Sequence, residues 1–360
     1  MDNYNRGQIE LYNSYIEKVF DVSHSAHIPE ISVIVVCYQE HELLEKCIEA
    51  LSTQEGVNYE VILVNNGVGE GTTVDLSEYK IDKYIILSEN LGAYMSRNIA
   101  ARFANGRILV FVDDDGIASS NNFLKEFRDC FDKYRVVSVR GACQAPEGIQ
   151  PAFYHCGDKP YPAFPTLEGN CAFLRADFMK VGGWNDDIRF GAGGLDIGIR
   201  FIKAGYDYNK LMYSPLPVLI HKYSDDEYTV SEKQKRQEQG RNLLKELYPD
   251  WKDIWDKWVK LVGREDLLMK HGQEDKPLNI IEKIMKKKKK IKRLNFKEAL
   301  NNHVMRFNGT YYTCYISEKE ILDKLGKEKY IPYYRQTVSP KIIEFRRSGE
   351  KVVIKVVPRR

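Results

Sequence analysis

Arg107-Ile-Leu-Val-Phe-Val112 runs straight into Asp113-Asp114-Asp115. A short, continuous apolar run of this kind reads as a buried strand. A strand that stops in three carboxylates delivers them to the edge of a sheet. Carboxylates crowded there repel one another unless a cation is shared between them. The chemistry this suggests is a divalent metal and, through it, the phosphates of a nucleotide. The plainer alternative is a solvated acidic turn.

The surrounding sequence repeats one pattern. Ile31-Ser-Val-Ile-Val-Val36 is a second buried-strand run, and His41 to Leu51 has helical spacing through Leu43, Leu44, Cys47, Ile48 and Leu51. Tyr59-Glu-Val-Ile-Leu-Val64 closes in Asn65-Asn-Gly67, and Lys83-Tyr-Ile-Ile-Leu-Ser88 follows. A helix from about 93 to 104 ends at Asn105-Gly106. Beyond the aspartates a helix is expected at about 120–133 and a strand at about 136–143. Strands alternating with helices over short connections predict an α/β fold, with a mostly parallel sheet and helices on both faces. Ligands of such sheets bind beyond the carboxyl ends of the strands. Tyr38, Asn65, Asn66 and Asp113–Asp115 should therefore meet in one site.

The flanks differ in character. Residues 1–28 carry Leu11, Tyr15, Ile16, Val19 and Phe20 at loose helical spacing and predict an N-terminal helical extension. The main domain is expected over 29–228, with Pro- and Gly-rich loops at 146–170 and a helix at about 195–204 ending at Gly205. A helical segment should occupy 229–270, broken or kinked at Pro249. Its stripe of Trp251, Ile254, Trp255, Trp258 and Leu261/Val262 belongs against a core. Residues 271–360 read as a basic C-terminal module whose last stretch, about 295–360, is a small α+β unit with alternating segments at 310–316 and 351–357.

Residues 271–360 hold 23 Lys and Arg against 10 Asp and Glu, while the whole chain carries only +3. Residues 1–270 are therefore left with a net charge of −10. Lys286–Lys290 lie within the basic run 283–293, which predicts a solvated helix or linker; the alternative is peripheral contact with an anionic membrane or polymer. Nucleic acid is not an expected partner. The seven cysteines are scattered and form no CxxC pair, so neither a zinc site nor a disulfide framework is indicated. Without a signal-like start or a spanning apolar run, the expected location is cytoplasmic, with the inner membrane face as a peripheral option.

Six stretches in order resemble the family 2 glycosyltransferases, which have the Rossmann-like GT-A fold. The resemblance covers roughly residues 30–225. It rests on Ile31 to Glu40, Val64-Asn-Asn-Gly67, Asn90-Leu-Gly-Ala-Tyr-Met-Ser-Arg-Asn98 and Phe111-Val-Asp-Asp-Asp115. It closes with Glu168-Gly-Asn170 and with Gly182-Gly-Trp-Asn185 through Gly194-Leu-Asp196 to Arg200. The resemblance implies a nucleotide-diphosphate sugar donor, UDP by family frequency, and a glycan, lipid-linked or protein acceptor. Transfer would invert the anomeric configuration with the help of Mn²⁺ or Mg²⁺.

By the same resemblance Tyr38 stacks on the base and Glu40 belongs to the same nucleotide-binding turn. Asn66 stands where the family usually has a base-reading aspartate, and Arg97 lies near the nucleotide. Asp113 faces ribose and metal, Asp115 binds the metal, and Asp114 sits between them with a solvated turn as its plainer role. His221 is placed near the metal or diphosphate. Trp184 lines the acceptor side, and Gly191, Gly193 and Gly194 let the backbone approach the sugar. Asp196 is the general base, in a Leu195-Asp196 pair where the family usually has Glu-Asp; Arg200, four residues on, is its expected ion-pair partner.

Three other readings compete. Gly67-Val-Gly-Glu-Gly71 follows the wrong strand and lacks the GxGxxG spacing of a dinucleotide site. A nucleotidyltransferase would need a Gly-rich loop after the first strand, where Cys37-Tyr-Gln-Glu-His41 stands instead. A catalytically inactive sugar-nucleotide-binding or scaffold protein on the same fold is favoured by Asn65/Asn66 and Leu195, and opposed by Asp113, Asp115 and Asp196.

Overall fold

The computed structural model describes residues 6–22, 28–38, 42–67, 78–146, 156–188, 191–221 and 238–263. It also describes the backbone of 305–307, 312–317, 344–348 and 351–356. The chain divides into two compact units, Met1–Pro146 with Cys156–Met269 and Glu147–His155 with Lys270–Arg360.

The first unit begins α1 (Arg6–Ser14), β1 (Ile16–Asp21), β2 (Ile31–Cys37), α2 (Glu42–Ser52), β3 (Tyr59–Asn66), β4 (Lys83–Leu87) and α3 (Ala93–Phe103). It continues β5 (Ile108–Asp113), β6 (Gly116–Ala118), α4 (Phe123–Tyr134), β7 (Ser138–Gln144), β8 (Tyr161–Pro162), β9 (Asn170–Leu174) and α5 (Arg175–Lys180). It ends with α6 (Gly193–Lys203), β10 (Leu211–His221), α7 (238–247) and α8 (Trp251–Val262). Ten strands form one sheet in the order β1-β4-β3-β2-β5-β9-β7-β10-β6, with β8 beside β10. The α/β expectation holds: β4, β3, β2 and β5 run parallel, as do β7 and β10. β9 lies antiparallel between β5 and β7. A reversed strand of this kind needs no helical crossover.

Every residue of β3 and all but Val36 of β2 are buried, so both faces of the sheet are covered. Ile34, Ile62, Val64, Leu109 and Phe111 join one core with Ile99 of α3 and Ile197 and Phe201 of α6. Val33, Val35, Val61, Leu63, Val110 and Val112, of opposite parity, are equally inaccessible.

The N-terminal expectation needs correction. The helix stops at Ser14, and residues 16–21 form a strand paired antiparallel with β4. Ile16 and Phe20 are the half-buried positions of this strand, while Val19 is exposed. Pairing also covers what would otherwise be the edge of β4. The C-terminal helices follow expectation, with the break at Tyr248-Pro249-Asp250. Trp255 and Trp258 pack against Phe164, and the Trp258 indole donates to the Pro162 carbonyl (2.7 Å), whereas Leu261 is exposed.

In the second unit β11 (Met305–Phe307), β12 (Tyr312–Ser317), β13 (Glu344–Ser348) and β14 (Lys351–Val356) form an antiparallel sheet in the order β11-β12-β14-β13. β12 and β14 fall on the two alternating stretches. The basic run 283–293 and any helical part of this module lie outside the described residues. No described helix is long and apolar enough to cross a membrane.

Candidate active site

Strand register brings the expected groups to one sheet edge. Val36 pairs with Asp113, and Cys37 pairs with Asn65, so β2, β3 and β5 end side by side. After Asp113 the chain turns through Asp114 and Asp115 into β6, whose Gly116 pairs with His221 at the end of β10. His221 Nε2 thereby lies 3.1 Å from Asp115 Oδ1. Asp113, Asp115 and His221 each offer a ligand atom, and these atoms all lie within 4.8 Å of one another. Gly169 packs so closely on Asp113 that a Cβ there would overlap the carboxylate. Only glycine leaves that carboxylate in place.

The electrostatics of this edge are negative. Burial first, then the carboxylates of Asp114, Asp115 and Asp113, push the Cys47 thiol well above its ordinary range. Burial and Asp113 raise Cys143 to about 12. Behind Asp113 stands Arg97, expected at the nucleotide but only 4 % exposed; its guanidinium donates to Asp113 Oδ1 at 2.5 Å. Burial is the largest influence and disfavours the Arg97 charge, yet Asp113, Tyr94, Cys171 and Glu168 together outweigh it and the net direction is upward. The guanidinium carbon lies 6.0 Å from the Tyr94 ring, 5.9 Å from Phe111 and 5.8 Å from Trp184. At that range the rings attract the cation. Its Nε is buried without a hydrogen-bond partner.

Several expected ligand contacts are turned inward instead. Asn66 is 2 % exposed, and its Oδ1 accepts from the Leu91 amide (3.0 Å) and the Ser96 hydroxyl (2.8 Å). Its Nδ2 donates to Asn90 (3.1 Å), so it braces the loop entering α3 rather than presenting itself to a base. Trp184, expected on the acceptor side, is 1 % exposed among Tyr94, Phe111, Phe173 and Phe178. It is a core residue because those rings, from two helices and two strands, leave no open face. The close approaches expected of Gly193 and Gly194 are to the protein itself: added Cβ atoms would collide with the Tyr94 ring and the Pro165 carbonyl. Tyr38 is about half exposed just past β2 and is available for stacking. Glu40 lies outside the described residues.

Asp196 departs furthest from expectation. It is 0 % exposed in the first turn of α6. Its Oδ2 accepts from Arg200 Nε (2.9 Å) and from a terminal guanidinium nitrogen (2.6 Å); its Oδ1 accepts from Asn185 (3.2 Å) and the Tyr248 hydroxyl (2.9 Å). A carboxylate has about four acceptor positions, and here four donors fill them. A base must come within hydrogen-bond reach of the proton it takes; this arrangement withholds Asp196.

Glu168, in a stretch the sequence singled out without giving this residue a role, is the half-buried carboxylate of the site. Its Oε1 accepts from the Gly194 amide at 2.8 Å. It thus caps α6 from outside the helix, satisfying one of the amides that a first turn leaves open. Burial raises its pKa, while the Gly194 amide, its own backbone and Arg97 pull the other way. The signal that could have found it is its place beside the glycine that Asp113 requires.

Residues 32–178 match the family model described as Glycosyl transferase family 2. The glycosyltransferase AglE of Haloferax volcanii is 33 % identical over 94 residues, 24 % of this chain and 31 % of that protein. The uncharacterized glycosyltransferase YfnE of Bacillus subtilis is 35 % identical over 101 residues, 27 % of this chain and 26 % of that one. The matches thus span about a third or less of these relatives' length. Among solved structures, S. aureus TarS 1–349 in complex with UDP aligns at 15 % identity and a TM-score of 0.47, over 90 % of this chain and 95 % of that one.

Proposed function

We propose that this protein transfers a sugar from a nucleotide-diphosphate donor to an acceptor hydroxyl, inverting the anomeric carbon. The observation that carries the reading is the convergence of Asp113, Asp115 and His221 at the carboxyl ends of parallel strands, in a chain that matches the glycosyl transferase family 2 model over residues 32–178. Two carboxylates and an imidazole suit Mn²⁺, with Mg²⁺ the harder alternative. The negative potential that lifts Cys47 favours a cation there. A bound metal supplies positive charge against the leaving diphosphate.

The chain's own residues do the rest. Arg97 fixes Asp113, Gly169 admits its carboxylate, and Tyr38 offers a ring for the base. The acceptor oxygen bonds to the anomeric carbon as the bond to the diphosphate breaks. Asp196 takes the proton that the acceptor loses, once a lone pair on it is freed. UDP is the default nucleotide, and the acceptor is a glycan, a lipid-linked glycan or a protein. A second reading, a donor-binding protein without turnover, is favoured by the saturated Asp196 and by Leu195 beside it.

Thermal melts with UDP, GDP and dTDP and their sugars, each with Mn²⁺ and with EDTA, test the donor site. A ligand at a hundred times its Kd adds about 2.7 kcal/mol. Stabilisation by one nucleotide class, lost with EDTA, is the expected result; no response to any of them sinks the reading. Release of nucleoside diphosphate from the stabilising donor then separates an enzyme from a binding protein.

A further inference from the structure

The four donors on Asp196 are not equivalent. Arg200 sits one turn along the same helix and is itself tied to the Val181 carbonyl (2.5 Å). It cannot leave without unpairing a buried charge. Asn185 follows the core residue Trp184, whose amide is held by Asn98 (2.8 Å). Tyr248 is different. It stands at the joint between α7 and α8, where Pro249 interrupts the helix, and it meets Asp196 through a neutral hydroxyl. Burial first, then Asp196, push the Tyr248 phenol far above its ordinary value, so it stays a donor at any working pH. The other charged groups facing this joint are Arg200, Lys203, 5.9 Å from the Tyr248 ring, and Asp250, paired with Lys203 at 2.7 Å.

Resting on Asp196 as the base, we propose that Tyr248 is a positioning residue for sugar transfer: its hydroxyl occupies Asp196 Oδ1, and the acceptor hydroxyl must displace it. No charge is unpaired by the exchange. One oxygen-bound donor replaces another, and the acceptor's proton passes to Oδ1 as its oxygen bonds to the anomeric carbon. The phenol's second effect is electronic. The phenol donates to the carboxylate oxygen that must receive the proton, so that oxygen accepts a proton less readily while the phenol occupies it.

The test is the pH profile of nucleoside diphosphate release from the donor that best stabilises the protein, with water as acceptor. Tyr248→Phe should move the acid limb up by about one pH unit, raise the plateau kcat severalfold and leave the donor KM unchanged. Tyr208→Phe is the structural control: it removes another phenol bond to these helices, to the Ile254 carbonyl (2.9 Å), without touching Asp196. It should lower Tm and leave the limb in place. An unmoved limb in folded Tyr248→Phe, or an equal shift in Tyr208→Phe, overturns the proposal. If Tyr248→Phe fails to fold, 3-fluorotyrosine at position 248, a stronger donor, should move the limb down; no movement overturns the proposal equally. Asp196→Asn that binds donor but loses release supports the base assignment beneath it. Unchanged release in that variant removes both, while the donor site stands on its melts.

Discussion

Asp113 and Asp115 lie two residues apart but carry different structural loads. Asp113 neutralises the buried Arg97, whose guanidinium pairs with no other carboxylate among the described residues; Asp115 lies against the imidazole of His221. Asp113→Ala should therefore cost stability as well as function, since a buried guanidinium loses its partner. The Asp113 side chain is 41 % exposed, so water can compensate in part. A loss of about 2 kcal/mol is expected rather than the full buried-pair figure. Asp115→Ala should melt close to wild type. Both should abolish Mn²⁺-dependent stabilisation by nucleotide. Melts of the two variants with and without metal separate these effects.

Glu168 gives a second test at this scale. Its raised pKa means that the folded state holds the proton more tightly than the unfolded chain does. The stability this group contributes is complete below the ordinary glutamate range and is lost as pH rises through the folded value. Glu168→Gln keeps an oxygen for the Gly194 amide and removes the half-buried charge. In metal-free protein it should out-melt wild type at pH 7, and the advantage should vanish below about pH 4.

At the level of elements, the strands were legible because β-branched runs ending in Asn65-Asn66 and in Asp113-Asp114-Asp115 admit few other structures. The parallel pairs, the helix bounds near 93–104 and 195–204, and the break at Pro249 followed from spacing and turn chemistry. β1 was not legible, since Val19 and Phe20 suit a helix or a strand until β4 offers a free edge. Nor could sequence show which polar groups turn inward. Asn66 and Asp196 sit at motif positions, but the partners that claim them, Ser96, Asn185 and Tyr248, come from other elements. The stripe on α8 was read as a core face, and it makes a quantitative prediction. Trp258 is 9 % exposed, packs on Phe164 and donates to Pro162. Trp258→Ala should cost about 3 kcal/mol in urea unfolding, by loss of transfer energy and creation of a cavity. A value within about 0.5 kcal/mol of wild type would show that α8 does not stabilise the first unit.

For the whole molecule, the division into two units has a functional consequence. All the site residues named above that the structure describes, from Tyr38 to Tyr248, belong to the unit of Met1–Pro146 and Cys156–Met269. The surplus of positive charge belongs to residues 271–360, with 23 Lys and Arg against 10 Asp and Glu. Donor chemistry and attraction to an anionic surface should therefore separate when the chain is cut after Met269. The shortened protein is expected to keep a single cooperative melt and its full nucleotide- and Mn²⁺-dependent shift, because no ligand of the site is removed. If the alternative reading of 283–293 holds and the full chain sediments with vesicles containing anionic lipid, the shortened protein should not. In the full chain that interaction should weaken steeply as salt shortens the screening length from about 10 Å at 0.1 M to about 3 Å at 1 M. Retained vesicle binding after the cut would place the attraction in the first unit, whose net charge of −10 makes that outcome hard to reconcile with electrostatics. Loss of the nucleotide shift would overturn the assignment of donor binding to the first unit alone.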